Sequence, residues 1–149
     1  MVNFRRMKIG DLDSIYKDQE IRSIITTSSP NKPKFAVVIE ENNHIQGGAS
    51  GYIMENAALL QNIVVKQHEN STVYKDGLIR AMIHFLELDG MDFLIVRDED
   101  TIYTDIGFHL LQEDESFSVG LVRHMEEEFA NTNSIYWIDL KNFFKERGC

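Results

Sequence analysis

Residues 57–108 read AALLQNIVVKQHENSTVYKDGLIRAMIHFLELDGMDFLIVRDEDTIYTDIGF, and the succession of patterns along them decides the class of fold. Residues 57–65 are apolar nearly throughout, as a central strand covered on both faces requires. KQHENSTVYKDG at 66–77 is polar and reads as a loop. LIRAMIHFLELDG then carries Leu78, Ala81, Met82, Phe85 and Leu86 at helical spacing, with Gly90 as the helix stop. Residues 93–96 form a short apolar strand, and residues 98–106 are compatible with a helix that ends at Gly107. Strand, helix and second strand in this order imply a parallel pair joined by a crossover.

Working outward toward the start, residues 2–8 alternate loosely as a strand. Asp11 then stands as a candidate N-cap for an amphipathic helix carrying Leu12, Ile15, Ile21 and Ile24. TTSSPNKPK at 26–34 holds both prolines and reads as a surface loop. An apolar run at 35–39, a polar turn at 41–43 and a second strand at 44–53 make a hairpin. Gly47, Gly48 and Gly51 inside that second strand mark a bulge, a close backbone approach or packing against a helix. Toward the end, residues 109–112 can begin a strand, residues 119–129 suit either strand or helix, and IYWIDL at 135–140 is β-favouring. Alternating strands and helices over 149 residues with one core's worth of apolar side chains read as one α/β domain spanning 1–149.

Composition narrows the function classes. There are 24 acidic against 15 basic residues, a formal net charge of -9, which repels polyanions and makes nucleic acid a poor partner. The same charge suits a cationic or amine substrate, and equally a plain solubility-favouring surface. The single cysteine, Cys149, allows no intrachain disulfide and no cysteine metal cage. No apolar run approaches the ~18 residues of a membrane span, and MVNFRRMKIGDLD lacks the apolar core of a signal peptide. A cytoplasmic protein away from membranes is the expectation.

In order and spacing, residues 57–108 resemble the GNAT N-acetyltransferases. Val65 stands where that family's central strand ends, Leu78 and Ile79 match its helix-opening apolar pair, and IYTDIGF at 102–108 resembles its FYxxxGF signature. The resemblance implies a central mixed, twisted sheet of six to seven strands flanked by helices, with acetyl-CoA as co-substrate. It also places a pyrophosphate-binding loop at Asn70, Ser71, Thr72, Val73, Tyr74 and Lys75. The family pattern there is Arg or Gln followed by three alternating glycines, and Asn70, Ser71, Val73 and Lys75 depart from it at all four positions. Missing glycines add Cβ atoms where backbone must come close to phosphate. Lys75 can offer an ammonium instead, while Asp76 beside it opposes an anion.

The remaining site residues follow from the same resemblance. The main chain of Ile63, Val64 and Val65 is expected to meet the pantetheine arm as an added strand. Tyr103 falls on the family's tyrosine, the acid that reprotonates the departing thiolate; the alternative is a half-buried packing aromatic. Glu55, before the central strand, is a candidate base acting directly or through water, or else a solvated charge. Gln61, where many relatives carry a carboxylate, does not titrate. His68 can touch a phosphate or pack, HMEEE at 124–128 lacks the two-histidine spacing of a metal site, and Phe143 and Phe144 read as core or as a homodimer contact. Two functions result: an acyl-CoA-dependent N-acyltransferase acting on a small-molecule amine or a peptide, and a catalytically silent module of the same fold that has lost its grip on acyl-CoA.

Overall fold

The computed structural model describes residues 1–25, 31–98, 100–111, 117–128 and 135–146. In chain order its elements are β1 (Val2–Arg6), α1 (Leu12–Lys17), β2 (Lys34–Glu41), β3 (His44–Met54), β4 (Ala57–Val65), α2 (Ser71–Leu88), β5 (Phe93–Arg97), α3 (Ile102–Ile106), β6 (His109–Leu110), α4 (Val119–Glu128), β7 (Ile135–Asp139) and α5 (Leu140–Glu146). All seven strands join one sheet in the order β1-β2-β3-β4-β5-β7-β6. Every neighbouring pair is antiparallel except β4 with β5, so β4 is the central strand and the parallel pair is where the sequence pattern puts it.

Strand alternation sends side chains to two covered faces. On one face Ala58, Leu60, Leu94 and Val96 meet Leu78, Ile79, Met82 and Ile83 of α2, with Ile106 of α3 and Phe143 of α5. On the other, Leu59, Ile95 and Tyr52 pack against Leu121 and Met125 of α4, and Val38 and Ile45 pack against Ile15, Ile21 and Ile24. No helix among the described residues is long and apolar enough to cross a membrane.

Three elements differ from their sequence reading. α2 begins at Ser71, not near Leu78, because Tyr74 lies one turn before Leu78 on the same buried stripe. Full burial of one such side chain is worth about 1.5–3 kcal/mol, and several together outweigh the ~1 kcal/mol that Gly77 costs inside a helix. Gly77 is there for room, since a Cβ would stand 2.5 Å from the Phe4 ring of β1. The amphipathic stretch after Asp11 splits into α1 and a 3-10 turn, Arg22–Ile25. Asp18 interrupts it: its carboxylate takes the Glu20 N–H and the Lys66 ammonium, in competition with helix continuation. Asp11 does not cap α1 with its side chain. It accepts the Lys8 N–H at 2.7 Å and both terminal nitrogens of Arg5 at 2.8 Å, while Arg5 also holds Glu40.

The hairpin turn at Asn42 and Asn43 has positive φ at both residues (52° and 68°), the type I′ geometry that matches strand twist. Between β3 and β4 the register runs Ser50↔Asn62 and then Gly51↔Leu60, leaving Gln61 as a bulge. Gly51 makes that bulge fit, for any Cβ there would overlap the Leu59 carbonyl oxygen. Gly51→Ala is therefore expected to lower stability by about 1–3 kcal/mol or more in urea titration, and an unchanged midpoint would mean that the bulge is slack.

Candidate functional site

β4 and β5 pair only at Ala57↔Phe93, Ala58↔Leu94 and Leu59↔Ile95. Beyond that point the strands part, and no described strand covers the outer edge of β4 from Leu60 to its end. A cleft of about 420 Å³ opens beside it, lined by Ile63, Val64 and Val65, by Gln67, Ser71, Thr72 and Lys75 at the start of α2, and by Asp100 and Ile102. The expected main-chain segment and much of the expected loop thus share one cleft.

The start of α2 is not an open glycine-type loop. Ser71, Thr72, Val73, Tyr74 and Lys75 form its first helical turn, so the connection from β4 is limited to residues 66–70. The Asn70 N–H donates to His68 Nδ1 at 3.0 Å, the Ser71 N–H to the His68 carbonyl, and the Tyr74 N–H to the Asn70 carbonyl. Among the described residues the N–H groups of Thr72 and Val73 are left as the unpaired donors of that first turn. Tyr74 points into the core, 8% exposed, with its hydroxyl donating to Glu41 at 2.9 Å and its ring edge-on to His68. Its pKa is raised, first by that hydrogen bond and then by burial.

Lys75 spans the cleft. Its ammonium lies 2.8 Å from Asp100 and 3.4 Å from Asp98, in the turn after β5, and 5.7 Å from the Tyr103 ring centroid. Asp98, Asp100 and Thr101 consequently lie outside α3 and do not begin a helix. Asp98 Oδ1 accepts the Asp100 N–H, and Asp100 Oδ1 accepts the Ile102 N–H, so these side chains replace the helical bonds of that stretch. Asp98 and Asp100 are the site residues that sequence reasoning missed, and the D-x-D spacing directly after a parallel strand was the available signal.

Tyr103 lies beneath the cleft, 0% exposed, near-parallel to Tyr136 and edge-on to Phe108. Gly107, at φ 128°, ends α3 and lets the N–H groups of Gly107 and Phe108 both donate to the Tyr103 carbonyl. The Tyr103 hydroxyl has no hydrogen-bond partner among the described residues. Burial, reinforced by the carboxylates of Asp98 and Asp100, pushes its pKa well above the ordinary phenol range, so it stays protonated.

Glu55 sits elsewhere. It occupies the β3–β4 turn with φ 57°, and both carboxylate oxygens accept from Ser118 Oγ at 2.9 Å, where Ser118 caps α4 by accepting the Leu121 N–H. It is separated from the cleft by most of β4, roughly 20 Å at the rise of a strand. The structure does not bring Glu55 and Tyr103 together. His124 is likewise engaged, its Nε2 lying 2.6 Å from the Tyr52 hydroxyl. Phe143 belongs to the core, and the side chain of Phe144 lies outside the described residues, as do residues 112–116 and 129–134.

A second cleft of about 340 Å³ opens on the opposite face of the sheet, over Ser50 of β3 and between the α1 region and β2. Ser50 Oγ accepts from Asn62 Nδ2 of β4 at 3.5 Å.

A mixed sheet that opens beside its central parallel strand, with a helix start facing the opening, defines the architectural class. That architecture is the GNAT acetyltransferase fold. N-acetylglutamate synthase from Neisseria gonorrhoeae, solved with coenzyme A and N-acetyl-glutamate, superposes with TM-score 0.67 and 18% identity over 94% of this chain, which spans 35% of that longer one. A GNAT-family acetyltransferase from Staphylococcus aureus superposes with TM-score 0.64 at 15% identity, over 94% of this chain and 99% of that one. The ribosomal-protein-S18-alanine N-acetyltransferase of Escherichia coli gives 0.62 at 14%, over 94% of each. No family model matches the chain, and no curated protein matches it in sequence.

The Lys75 pairing has a pH signature. Asp100 sits below the usual carboxylate range, first because Lys75 donates to it and then because the Ile102 N–H does. A depressed folded pKa stabilises the fold above the unfolded value of about 3.9, and that contribution is lost as pH falls through the folded value. Melting temperatures of wild type and Lys75→Met between pH 5 and pH 2 are expected to diverge at the upper end and converge at the lower. Parallel curves would show that the pair contributes nothing.

Proposed function

We propose that the protein is an acyl-CoA-dependent N-acyltransferase, with acetyl-CoA as donor and the amine of a small molecule or peptide as acceptor, in a cytoplasmic setting. The observation that carries this reading is the uncovered edge of β4 opening into the cleft of Ile63, Val64, Val65, Ser71, Thr72 and Lys75. Free N–H and C=O groups on a strand edge pair readily with an extended amide-bearing arm, as pantetheine is. The residues fit such a donor in part. Thr72 and Val73 offer N–H groups at the positive end of an 18-residue helix, and Lys75 offers a cation within the same cleft. When bound, acetyl-CoA supplies an activated thioester. The β4 edge aligns it and polarises its carbonyl, Tyr103, buried below Lys75, is the candidate acid for the departing thiolate, and an arriving neutral amine displaces that thiolate. Glu55, held by Ser118 at the far end of β4, is better read as an anchor for α4 than as the base.

A second reading, the silent module, draws on one specific contact: Lys75 is already neutralised by Asp98 and Asp100, which also set net negative charge where a diphosphate would approach. Calorimetric titration with acetyl-CoA separates the two. The enzyme reading expects saturable binding, tighter in Asp98→Asn/Asp100→Asn and weaker in Lys75→Met. No heat at millimolar donor in wild type and in the double variant would leave only the silent module. If binding occurs, Tyr103→Phe is expected to lower kcat at least tenfold with little change in donor affinity.

A further inference from the structure

The two sides of the donor cleft differ in chemistry. On the β4 side, the Lys66 N–H donates to the Gln46 carbonyl of β3 at 2.8 Å, and Val64 stands opposite Gly48 two residues earlier. Main-chain groups of an antiparallel strand alternate in direction, so Val64 and Lys66 turn theirs toward β3 while Ile63 and Val65 turn theirs to the uncovered edge. Ile63 and Val65 thus present two N–H and two C=O groups to the cleft, about 7 Å apart at the rise of a strand. All four are neutral. An extended arm with two amides, as pantetheine has, can pair with them, and the strength of that pairing does not depend on the charge carried further along the ligand.

A diphosphate would have to sit on the α2 side, where most groups that could hold it are already engaged. The N–H groups of Asn70 and Ser71 go to His68 and that of Tyr74 to the Asn70 carbonyl, which leaves those of Thr72 and Val73. The positive end of a helix is equivalent to about half an elementary charge. Against it stand Asp98 and Asp100, both in contact with Lys75, so one ammonium faces two carboxylates and a full negative charge is left over. The sum is negative before any ligand arrives. A phosphate that drew Lys75 to itself would leave the two carboxylates beside it without their cation, and the repulsion would offset the new contact. Glu99, between them in the sequence, is a further acid and not a cation.

We infer that the cleft recognises the arm of its donor and not the nucleotide end, so that acyl thioesters on a short neutral amide arm, of the pantetheine class, bind as well as acyl-CoA does. This rests on the donor reading above and narrows it, because recognition then falls on the outward main chain of Ile63 and Val65. An arm without phosphates loses no contact that acyl-CoA makes. Added salt screens the repulsion between diphosphate and carboxylates, so acyl-CoA keeps or gains affinity where a ligand held by charge would lose it. The transfer itself is the same for both donors: the amine nitrogen bonds to the acyl carbon, the carbon–sulfur bond breaks, and the amine's proton leaves with the thiolate.

The test is calorimetric titration of the full chain at pH 7 with acetyl-CoA, with S-acetylpantetheine and with inorganic pyrophosphate. Wild type is expected to bind the two thioesters with Kd values within roughly threefold of each other, and to give no heat with millimolar pyrophosphate. Between about 50 mM and about 500 mM sodium chloride, acetyl-CoA should bind equally well or better while S-acetylpantetheine holds constant. Asp98→Asn/Asp100→Asn keeps the carbonyl oxygens that accept the Asp100 and Ile102 N–H groups; it should tighten acetyl-CoA at least threefold and leave S-acetylpantetheine unchanged. Val65→Pro removes one outward N–H from a strand edge, where proline is tolerated, and should weaken both thioesters by the same factor, at least fivefold. The wild-type comparison and the salt series decide the matter if that variant does not fold. Acetyl-CoA at least tenfold tighter than S-acetylpantetheine, competition by pyrophosphate, acetyl-CoA weakened by salt, or a folded Val65→Pro that binds both thioesters as wild type does would overturn the inference, while acetyl-CoA binding itself upholds the donor reading. Binding of neither thioester, in wild type or in the double variant, would instead sink the donor reading.

Discussion

Parallel pairing of β4 with β5 holds for three residue pairs and then fails, and the position of the cleft beside β4 follows from that short register. Its causes are on either side. β5 is bound along all five residues to β7, so it follows β7 and the α3 packing beneath, whereas β4 is bound along its length to β3 and bends at the Gln61 bulge. A bulge increases local twist, and two strands committed to different partners with different twist must diverge. The opening is thus a property of the packed sheet and not of a mobile loop. Both faces near it are walled by buried side chains, Leu60 and Val96 toward α2 and Leu59 and Ile95 toward α4.

Electrostatics inside the donor cleft pull in two directions. The dipole of α2 and the N–H groups of Thr72 and Val73 favour an anion, while Asp98 and Asp100 oppose one and hold the nearest cation. Lys75 holds Asp98 and Asp100 after β5, and on the proposed reading it is also the one ammonium in the described cleft lining available to a phosphate. The buried hydroxyl of Tyr103, without a hydrogen-bond partner among the described residues, lies near this contact.

Periodicity made the core legible. The apolar run of residues 57–65, the helical stripe from Leu78 to Leu86 and the Gly107-Phe108 stop all took their expected places, because each is fixed by burial over several residues at once. The start of α2 was not legible from polarity alone. Ser71, Thr72 and Lys75 look like loop residues, and only Tyr74, read as one more step of the buried stripe, discloses the extra turn. Asp98 and Asp100 were read as helix-compatible because side chains that compete with the backbone betray themselves only through their geometry. Glu55 was weighed as a base from its position before the central strand, but the partner that engages it, Ser118, is 63 residues away, a contact that no local pattern reveals.

The meeting of Phe4 with Gly77 gives the first strand an influence at a distance. Its ring fills the space a side chain on α2 would need, so the height of that helix above the sheet is set by an aromatic plate on β1, three strands removed from β4. Since Ser71, Thr72 and Lys75 ride on the same rigid rod, the plate acts as a shim beneath the helix start that lines the cleft. Changes in ligand grip can therefore arise from repacking at the sheet's outer edge, with every lining residue left as it was.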